Sequence, residues 1–185
     1  MDHLTWAVSW ENDLPPEGHD ALAGLLARAY PRHVELFRDG CTWSGARPEL
    51  RVVGSAGDRP VAHLGLVRRF LRVQQTGASL LVGDVGLVAV DPDLQGRGVG
   101  RALLDHTLRT MTELALPFGF LTCRPEVVPF YRSGGWQRLD GQITRMIDND
   151  HRPEVYDGPA MALPVRAPMT DWPHGLTVDR NGLEV

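Results

Sequence analysis

The sequence predicts an α+β fold in which a mixed sheet has helices on its flanks. Three strand-like runs joined by short turns lie within residues 49–90, and this order predicts an antiparallel meander. A Gly-rich loop, a helix with apolar residues at helical spacing and a further strand follow, in the order of a β-α-β unit. No repeat or linker divides the 185 residues, so we expect one domain, 1–185.

The first fifty residues predict a strand, a helix and a loop. Apolar and polar residues alternate over residues 4–10, which predicts the strand. Pro15 and Pro16 open the helix, and Pro31 ends it. Residues 31–48 have no periodic pattern, and we expect them to form a loop that covers a site.

The meander and the unit that follows it occupy the middle of the chain. Apolar runs predict its three strands over residues 49–55, 60–73 and 80–90. The helix after the Gly-rich loop ends before Pro117. The apolar segment Phe118–Cys123 then predicts a short buried strand.

The last third of the chain has weaker patterns. Residues 126–133 predict a short helix, and a strand begins at Trp136. Polar residues predict a loop over 148–158, and residues 161–165 predict a last strand. The tail, 166–185, is rich in turn-forming residues.

The composition excludes several functions. The sequence contains no Lys, which excludes Schiff-base chemistry and a Lys-dependent phosphate loop. A net charge of −4 argues against nucleic acid and suits a small-molecule amine. Cys41 and Cys123 match neither a disulfide framework nor a zinc spacing, so we expect free thiols and no metal. No apolar run is long enough for a membrane span, which predicts a cytoplasmic protein with no membrane partner.

The segment Gln95–Gly100, Gln-Gly-Arg-Gly-Val-Gly, lies between a predicted strand and a predicted helix. Its glycines let the backbone approach a ligand closely, and the start of a helix presents N–H groups with a positive dipole end. Arg97 and Arg101 add positive charge, so the loop suits a diphosphate. Two alternatives are a dinucleotide loop, whose third glycine interval is not matched here, and a tight turn without a ligand.

The segment from Val88 to Leu104 resembles the acyl-CoA signature of the GNAT acetyltransferases. That signature is a strand, then Gln/Arg-x-x-Gly-x-Gly/Ala, then a helix, and it is met here by Gln95, Gly98 and Gly100. The resemblance implies the GNAT fold, with a splayed strand pair in a mixed central sheet, and acetyl-CoA or another acyl-CoA as co-substrate. It also implies a donor site made by Val88, Val90, Gln95, Gly96, Arg97, Gly98, Val99, Gly100 and Arg101.

A second segment, Val128–Trp136, is similar to the Phe-Tyr-x-x-x-Gly-Phe/Trp segment of the same family. The resemblance implies that Tyr131 is the general acid that protonates the departing thiolate. Acyl transfer needs such a group, because a thiol leaves more easily with a proton in reach. The alternative is that Tyr131 only packs against the donor with its hydroxyl in water.

Two polar residues interrupt apolar strands and are candidates for removing the proton of the attacking amine. Asp84 lies in mid-strand, where a charge is unusual, and is the better placed candidate to bind or deprotonate an amine. His63 interrupts another apolar run. The alternatives are a solvent-facing carboxylate for Asp84 and a hydrogen-bonded core residue for His63.

Four separate blocks of the chain look like nodulation protein A, a family that N-acylates the amine of a glucosamine oligosaccharide. The blocks begin at Trp10, Trp43, Ala62 and Asp171 and occur in matching order. The aminoglycoside 2′-N-acetyltransferases resemble the chain more distantly. Both families imply an amino-sugar acceptor, and the acceptor residues we predict are Glu35, Asp39, Trp43, Asp84, Asp171 and Trp172.

The donor and the acceptor each leave alternatives. Tyr131 looks more like the enzymes that use acetyl-CoA, whereas the nodulation family implies a fatty acyl group on acyl carrier protein. Arg68, Arg69 and Arg72 could supply a basic patch for that acidic carrier. A peptide or polyamine acetyltransferase, and a non-catalytic acyl-CoA-binding regulatory module, are further alternatives. The sequence allows a homodimer.

Overall fold

The computed structural model describes residues 4–148 and 150–185. The strands are β1 (Leu4–Trp10), β2 (Leu50–Ala56), β3 (Arg59–Val73), β4 (Ser79–Val90), β5 (Phe118–Thr122), β6 (Gln137–Arg138), β7 (Ile143–Ile147), β8 (Pro153–Tyr156), β9 (Ala160–Pro164) and β10 (Thr177–Asp179). The helices are α1 (Pro16–Ala29), α2 (Val99–Glu113) and α3 (Val128–Ser133).

The chain divides into two compact units. The first contains the chain up to Val67, together with Val85–Thr107 and Val185. The second contains Arg68–Asp84 and Leu108–Glu184. The divisions therefore fall inside β3, β4 and α2.

The first unit packs α1 against strands. In this unit β1 pairs antiparallel with β2, and β2 pairs antiparallel with β3. The buried face of α1 contributes Ala23, Leu25 and Leu26 to a cluster with Leu87 and Ala89 of β4. This face follows the helical spacing of apolar residues, because side chains three or four positions apart lie on one side of a helix.

The second unit contains a sheet in the order β6-β9-β5-β4-β3-β10-β7-β8, formed with its parts of β3 and β4. The pairs β4–β5 and β10–β7 are parallel and pairs such as β5–β9 are antiparallel, so the sheet is mixed, as predicted. Phe118 and Phe120 of β5 pack against Trp172 in the core of this unit, with ring centroids 5.2 and 6.0 Å from the indole.

Most predicted elements are confirmed within a few residues, but two predictions for the last third are wrong. The predicted loop 148–158 contains β8, and the tail, for which no strand was predicted, contains β10. Pro153, Glu154 and Val155 of β8 are all exposed, so this strand lacks the alternation that marks a half-buried strand. The three residues of β10 form a strand because β3 and β7 supply backbone partners on both sides.

Within the described ranges, every helix falls short of the length and apolar character that a membrane span needs.

Candidate active site

The Gly-rich loop joins β4 to α2 in the first unit, and its glycines are open to a ligand. Gly96 and Gly98 have φ angles of 72° and 84°, which residues with a Cβ rarely adopt. Apart from the glycine itself and its two neighbours in the chain, no described atom lies within 4 Å of the position that a Cβ would take on either glycine. Both residues are exposed, so a ligand can approach the backbone closely.

The first turn of α2 adds hydrogen-bond donors to this loop. The first i→i−4 bond runs from Ala102 N–H to Gly98 O over 3.0 Å. The amides of Val99 and Gly100 precede that bond, so neither has an acceptor within the helix. Together with the positive end of the helix dipole, these groups can hold a diphosphate.

Asp91 anchors the start of the loop. Its buried carboxylate accepts a hydrogen bond from Asp93 N–H at 3.2 Å and lies 3.1 Å from Arg28 and 2.6 Å from Arg59. Burial alone would raise the pKa of Asp91, but the hydrogen bonds and charges of these partners lower it. The carboxylate therefore stays charged and fixes the chain where it leaves β4.

All nine residues of the predicted donor site lie in the first unit, at the end of β4, in the loop and in the first turn of α2. Two of the carbonyl groups already have donors within the chain. Val88 O accepts from Tyr30 Oη at 2.7 Å, and Val90 O accepts from Gln95 Nε2 at 3.3 Å. A carbonyl can accept two hydrogen bonds, so these side-chain contacts do not by themselves prevent either carbonyl from binding a ligand.

His63 lies in a buried chain of hydrogen bonds in the first unit. Its Nδ1 is 2.8 Å from Leu87 O, and its Nε2 is 3.1 Å from Arg51 Nη1. Arginine can only donate, so Nε2 accepts and Nδ1–H donates to Leu87 O. Arg51 in turn bonds both carboxylate oxygens of Glu11, at 2.6 and 3.1 Å. This series of hydrogen bonds ends at the carbonyl of Leu87 and stabilises its backbone. Leu87 has a φ of 53°, which is strained for a residue with a branched side chain.

The electrostatics of this chain keep the imidazole of His63 neutral. Burial and the charge of Arg51 lower the pKa of His63 to about 3. Burial would raise the pKa of Glu11, but the hydrogen bonds and charges of Arg51 and Arg47 lower it. His63 is fully buried and both of its ring nitrogens are engaged, so its role in proton transfer stays a prediction.

A cavity of about 250 Å³ opens in the first unit beside the first turn of α1. Its lining includes two of the predicted acceptor residues, Asp39 and Trp43. The other lining residues were not predicted from the sequence, and they are Pro16, His19, Asp20, Gly40 and Arg47. The cavity therefore combines carboxylates, an indole ring and hydrogen-bond donors in one place.

Asp84 lies in a buried ion cluster of the second unit. Its two oxygens are 2.6 and 2.8 Å from Arg180 Nη2 and Nε, and Arg69 Nε is 3.0 Å from Oδ2. Arg180 also donates to Thr122 Oγ1 at 3.0 Å and lies 3.3 Å from a carboxylate oxygen of Glu184. Asp84 has no exposed side-chain surface, and its predicted role toward an amine stays a prediction.

Tyr131 lies on α3 in the second unit. It is buried, and its ring makes edge contacts with Phe130 and Trp136, with centroids 5.0 and 5.9 Å away. The carbonyl of Tyr131 accepts hydrogen bonds from Gly134 N–H at 2.9 Å and Trp136 N–H at 3.2 Å. These contacts hold the residue in a fixed orientation at the end of a short helix.

The remaining predicted acceptor residues have different environments. Glu35 lies on a short 3-10 turn in the first unit and is exposed, and Asp171 is exposed in the second unit. Trp172 is 3% exposed and belongs to the core, where its indole N–H donates to Gln142 Oε1 at 3.0 Å. Trp172 was predicted to contact the acceptor, but its ring stacks on Phe120 in the core instead.

Sequence reasoning missed the arginines that organise both units. Arg51, like Asp84, is a charge inside an apolar strand, and the same criterion would have selected it. The same criterion would not have selected Arg180, because the residues around it are typical of a polar turn. Among the described residues no group of His, Cys, Asp and Glu could hold a metal ion.

Comparison with solved structures identifies the fold. The GNAT family N-acetyltransferase YhbS of Escherichia coli, in complex with CoA, matches with a TM-score of 0.62 and 16% identity over 96% of this chain and 91% of that chain. ElaA of Escherichia coli matches with a TM-score of 0.59 and 20% identity over 87% of this chain and 99% of that chain. The fold is that of the GNAT acyltransferases, as predicted.

Sequence comparison narrows this class. The model of the nodulation protein A family matches residues 1–185. Nodulation protein A of Rhizobium tropici is 36% identical over 196 residues, which cover 98% of each chain. The protein of Bradyrhizobium sp. (strain ANU 289) is 34% identical over 200 residues, covering 98% of this chain and 92% of that one. The chain belongs to the nodulation protein A family, and the predicted class of enzyme, a GNAT-type acyltransferase, is confirmed.

Proposed function

We propose that this protein is an N-acyltransferase that moves an acyl group from acetyl-CoA, or another short acyl-CoA, to the primary amine of an amino sugar or aminoglycoside-like acceptor. The observation that carries the proposal is the open loop at the head of α2, whose main-chain amides suit a diphosphate. The fold and the family support the coarser statement that the protein is an acyltransferase. In this proposal residues 1–185 act as one cytoplasmic domain, as a monomer or homodimer, on a small-molecule amine.

Donor binding relies on the main chain. The amides from Gly96 to Arg101 hold the diphosphate, and the side chains of Arg97 and Arg101 add positive charge. Val88 and Val90 offer main-chain groups to the pantetheine arm. Three successive features support this arrangement: a fixed loop entry at Asp91, glycines with positive φ, and the first turn of a 15-residue helix.

The acyl group passes directly from sulfur to nitrogen. The amine nitrogen forms the C–N bond while the C–S bond breaks, and the hydroxyl of Tyr131 gives its proton to the departing thiolate. The acceptor ammonium releases two protons, of which one restores Tyr131 through solvent and the other enters solvent. An acyl-enzyme on Cys123 is disfavoured, because burial and the charge of Glu184 raise the pKa of its thiol to about 11.

On the acceptor side, some residues contact the acceptor and others only position the site. Asp39 and Trp43 contact the acceptor in the cavity of the first unit. The exposed carboxylates of Glu35 and Asp171 are further acceptor candidates. Asp84, together with His63, supports the active site as a positioning residue. The proton of the amine then leaves through water.

A thiol-release assay with acetyl-CoA against amino sugars, aminoglycosides, polyamines and peptides tests the reaction. We expect turnover with amino sugars, and a fall in kcat of about 100-fold or more for Tyr131→Phe, since a general acid contributes at least that factor. Tyr156→Phe is the matched control, because Tyr156 donates to Cys123 O and has no assigned catalytic role. CoA binding without turnover of any amine would instead identify a regulatory module.

A second candidate is the transfer of a fatty acyl group from acyl carrier protein to a glucosamine oligosaccharide. Family membership and the exposed residues in the last third of β3 favour this second candidate. Arg68 and Arg72 are exposed there on either side of Phe70, which is 59% exposed, whereas Arg69 is bound to Asp84. Competition between acetyl-CoA and a palmitoyl carrier protein separates the two, because only the fatty acyltransferase would prefer the second donor.

A further inference from the structure

Val185 fills a space that two glycines leave open in the first unit. The residue is 5% exposed. A Cβ placed on Gly86 of β4 would overlap with the carbonyl oxygen of Val185 and lie 3.0 Å from its Cβ. A Cβ placed on Gly65 of β3 would lie 3.4 Å from Val185 Cγ1. Val185 therefore occupies the volume that side chains at these two positions would take.

The two glycines are explained by this packing and not by their backbone conformation. Neither has a φ in the left-handed region, so a residue with a Cβ could adopt the same conformation. What excludes a side chain is the lack of space, because Pro48 Cγ would lie 2.7 Å from a Cβ on Gly65 and Val185 covers Gly86. Both strands therefore lack a side chain where the isopropyl group of Val185 packs.

The residues that lead to Val185 are held by contacts within the second unit. Leu183 O accepts a hydrogen bond from Arg69 Nη2 at 2.8 Å, and a carboxylate oxygen of Glu184 lies 3.3 Å from Arg180 Nη1. Both arginine side chains are almost fully buried. The backbone that enters Val185 is therefore fixed, and a ligand that displaces the valine side chain must work against these contacts.

Gly86 lies on β4 next to the proposed donor residues, on the side away from the Gly-rich loop. Gly86, Val88 and Val90 occupy alternate positions and are half-buried, whereas Leu87 and Ala89 between them are buried. A strand rises about 3.3 Å per residue, so Gly86 lies at most about 7 Å from Val88. With the diphosphate at the loop and the pantetheine arm along Val90 and Val88, the acyl group comes next and extends toward Gly86.

We infer that Val185 closes the acyl end of the donor site and restricts the acyl group to a few carbons. The inference rests on the proposed function and names the residue that sets its acyl length. An acetyl group ends before the valine side chain, whereas a longer chain must displace it. One methylene in an apolar pocket changes the discrimination between substrates by about 10–200-fold, so a single side chain is enough to select among acyl groups.

Thioethers of CoA test the acyl end without a reaction, because an S-alkyl group is not transferred. In calorimetric titrations we expect the wild-type protein to bind S-ethyl-CoA at least about tenfold more tightly than S-octyl-CoA. Val185→Ala, which removes two carbons, should improve the affinity for S-butyl-CoA relative to S-ethyl-CoA by about tenfold. Val185→Leu adds one carbon and should change that ratio in the opposite direction. Val165→Ala, the same truncation at a half-buried position of the second unit, is the matched control.

The outcomes separate the acyl end of the site from the reaction. The inference is overturned if the wild-type protein binds S-octyl-CoA as tightly as S-ethyl-CoA, or if Val185→Ala and Val165→Ala give the same ratio of affinities. In that case turnover of amines in the thiol-release assay still supports the proposed function. If no amine is acylated, yet the ratio shifts in Val185→Ala, the inference about Val185 stands and the proposed function fails. The affinity for CoA itself should stay within about twofold in each variant, because the Gly-rich loop is unchanged, and circular dichroism checks that the variants are folded.

Discussion

Asp84 and Arg180 illustrate how this protein holds charges inside its second unit. Neither side chain has exposed surface, and the two oxygens of Asp84 receive two nitrogens of Arg180 in a bidentate pair. Arg69 adds a third charge. Removal of one partner from such a cluster leaves the others buried and uncompensated, which costs far more than the loss of a surface pair.

Asp84→Asn should therefore lower the free energy of unfolding by about 3–5 kcal/mol, measured by denaturant titration. Asp140→Asn is the control, because Asp140 is 81% exposed and pairs with Arg138 at 3.1 Å on the surface. We expect that control to change the free energy by less than about 1 kcal/mol. Wild-type stability of Asp84→Asn together with lost turnover would argue for the proton-transfer role instead.

Among the elements, the loop between β4 and α2 contains a glycine, Gly98, that can be compared with a glycine of similar geometry outside the proposed donor site. Gly98 has a φ of 84° and Gly77, in the turn between β3 and β4, has a φ of 68°. Neither has a described atom within 4 Å of a would-be Cβ. Both glycines therefore combine a positive φ with open space, and only Gly98 lies where a diphosphate is proposed to bind.

Gly98→Ala and Gly77→Ala should each cost about 1–2 kcal/mol of stability, because L-residues are strained at positive φ. Only Gly98→Ala should weaken CoA, by about tenfold or more, as hydrogen bonds from the loop amides are lost. Calorimetric titration with CoA measures the difference. Equal CoA affinity in both variants would contradict the assignment of the donor site.

For the molecule as a whole, the free energy of unfolding should fall at acidic pH, because folding lowers the pKa of several groups. Burial and Arg51 lower the pKa of His63 from 6.5 to about 3, so the unfolded chain binds a proton there that the folded chain does not. The stability that neutral His63 contributes is fully present above pH 6.5 and is lost as the pH falls toward 3. The pKa values of Glu11 and Asp91 are also lowered, which adds loss at lower pH.

The free energy of unfolding should fall between pH 6.5 and pH 5 with a contribution from His63 of up to about 1.4 kcal/mol per pH unit. His63→Gln should remove that contribution, whereas His33→Gln, at an exposed position, should not. Denaturant titrations at several pH values measure the slope. An unchanged slope in His63→Gln would show that another group is responsible.

The sequence by itself determined the elements with strong local patterns and the class of enzyme. The alternation in β1, the apolar face of α1 and the Gly-rich loop before α2 each depend on neighbours in the chain, so they could be read without a structure. The family resemblance followed from such local blocks.

Only the tertiary structure decided which partners surround the isolated polar residues. His63 and Asp84 looked alike in the sequence as polar residues in apolar strands, yet their partners, Arg51 and Arg180, come from other parts of the chain. The cavity likewise joins Asp20 of α1 to Asp39 of the following loop. Burial and ion pairing depend on contacts between residues that are far apart in sequence. A local sequence pattern does not show which of these residues will be in contact in the folded protein.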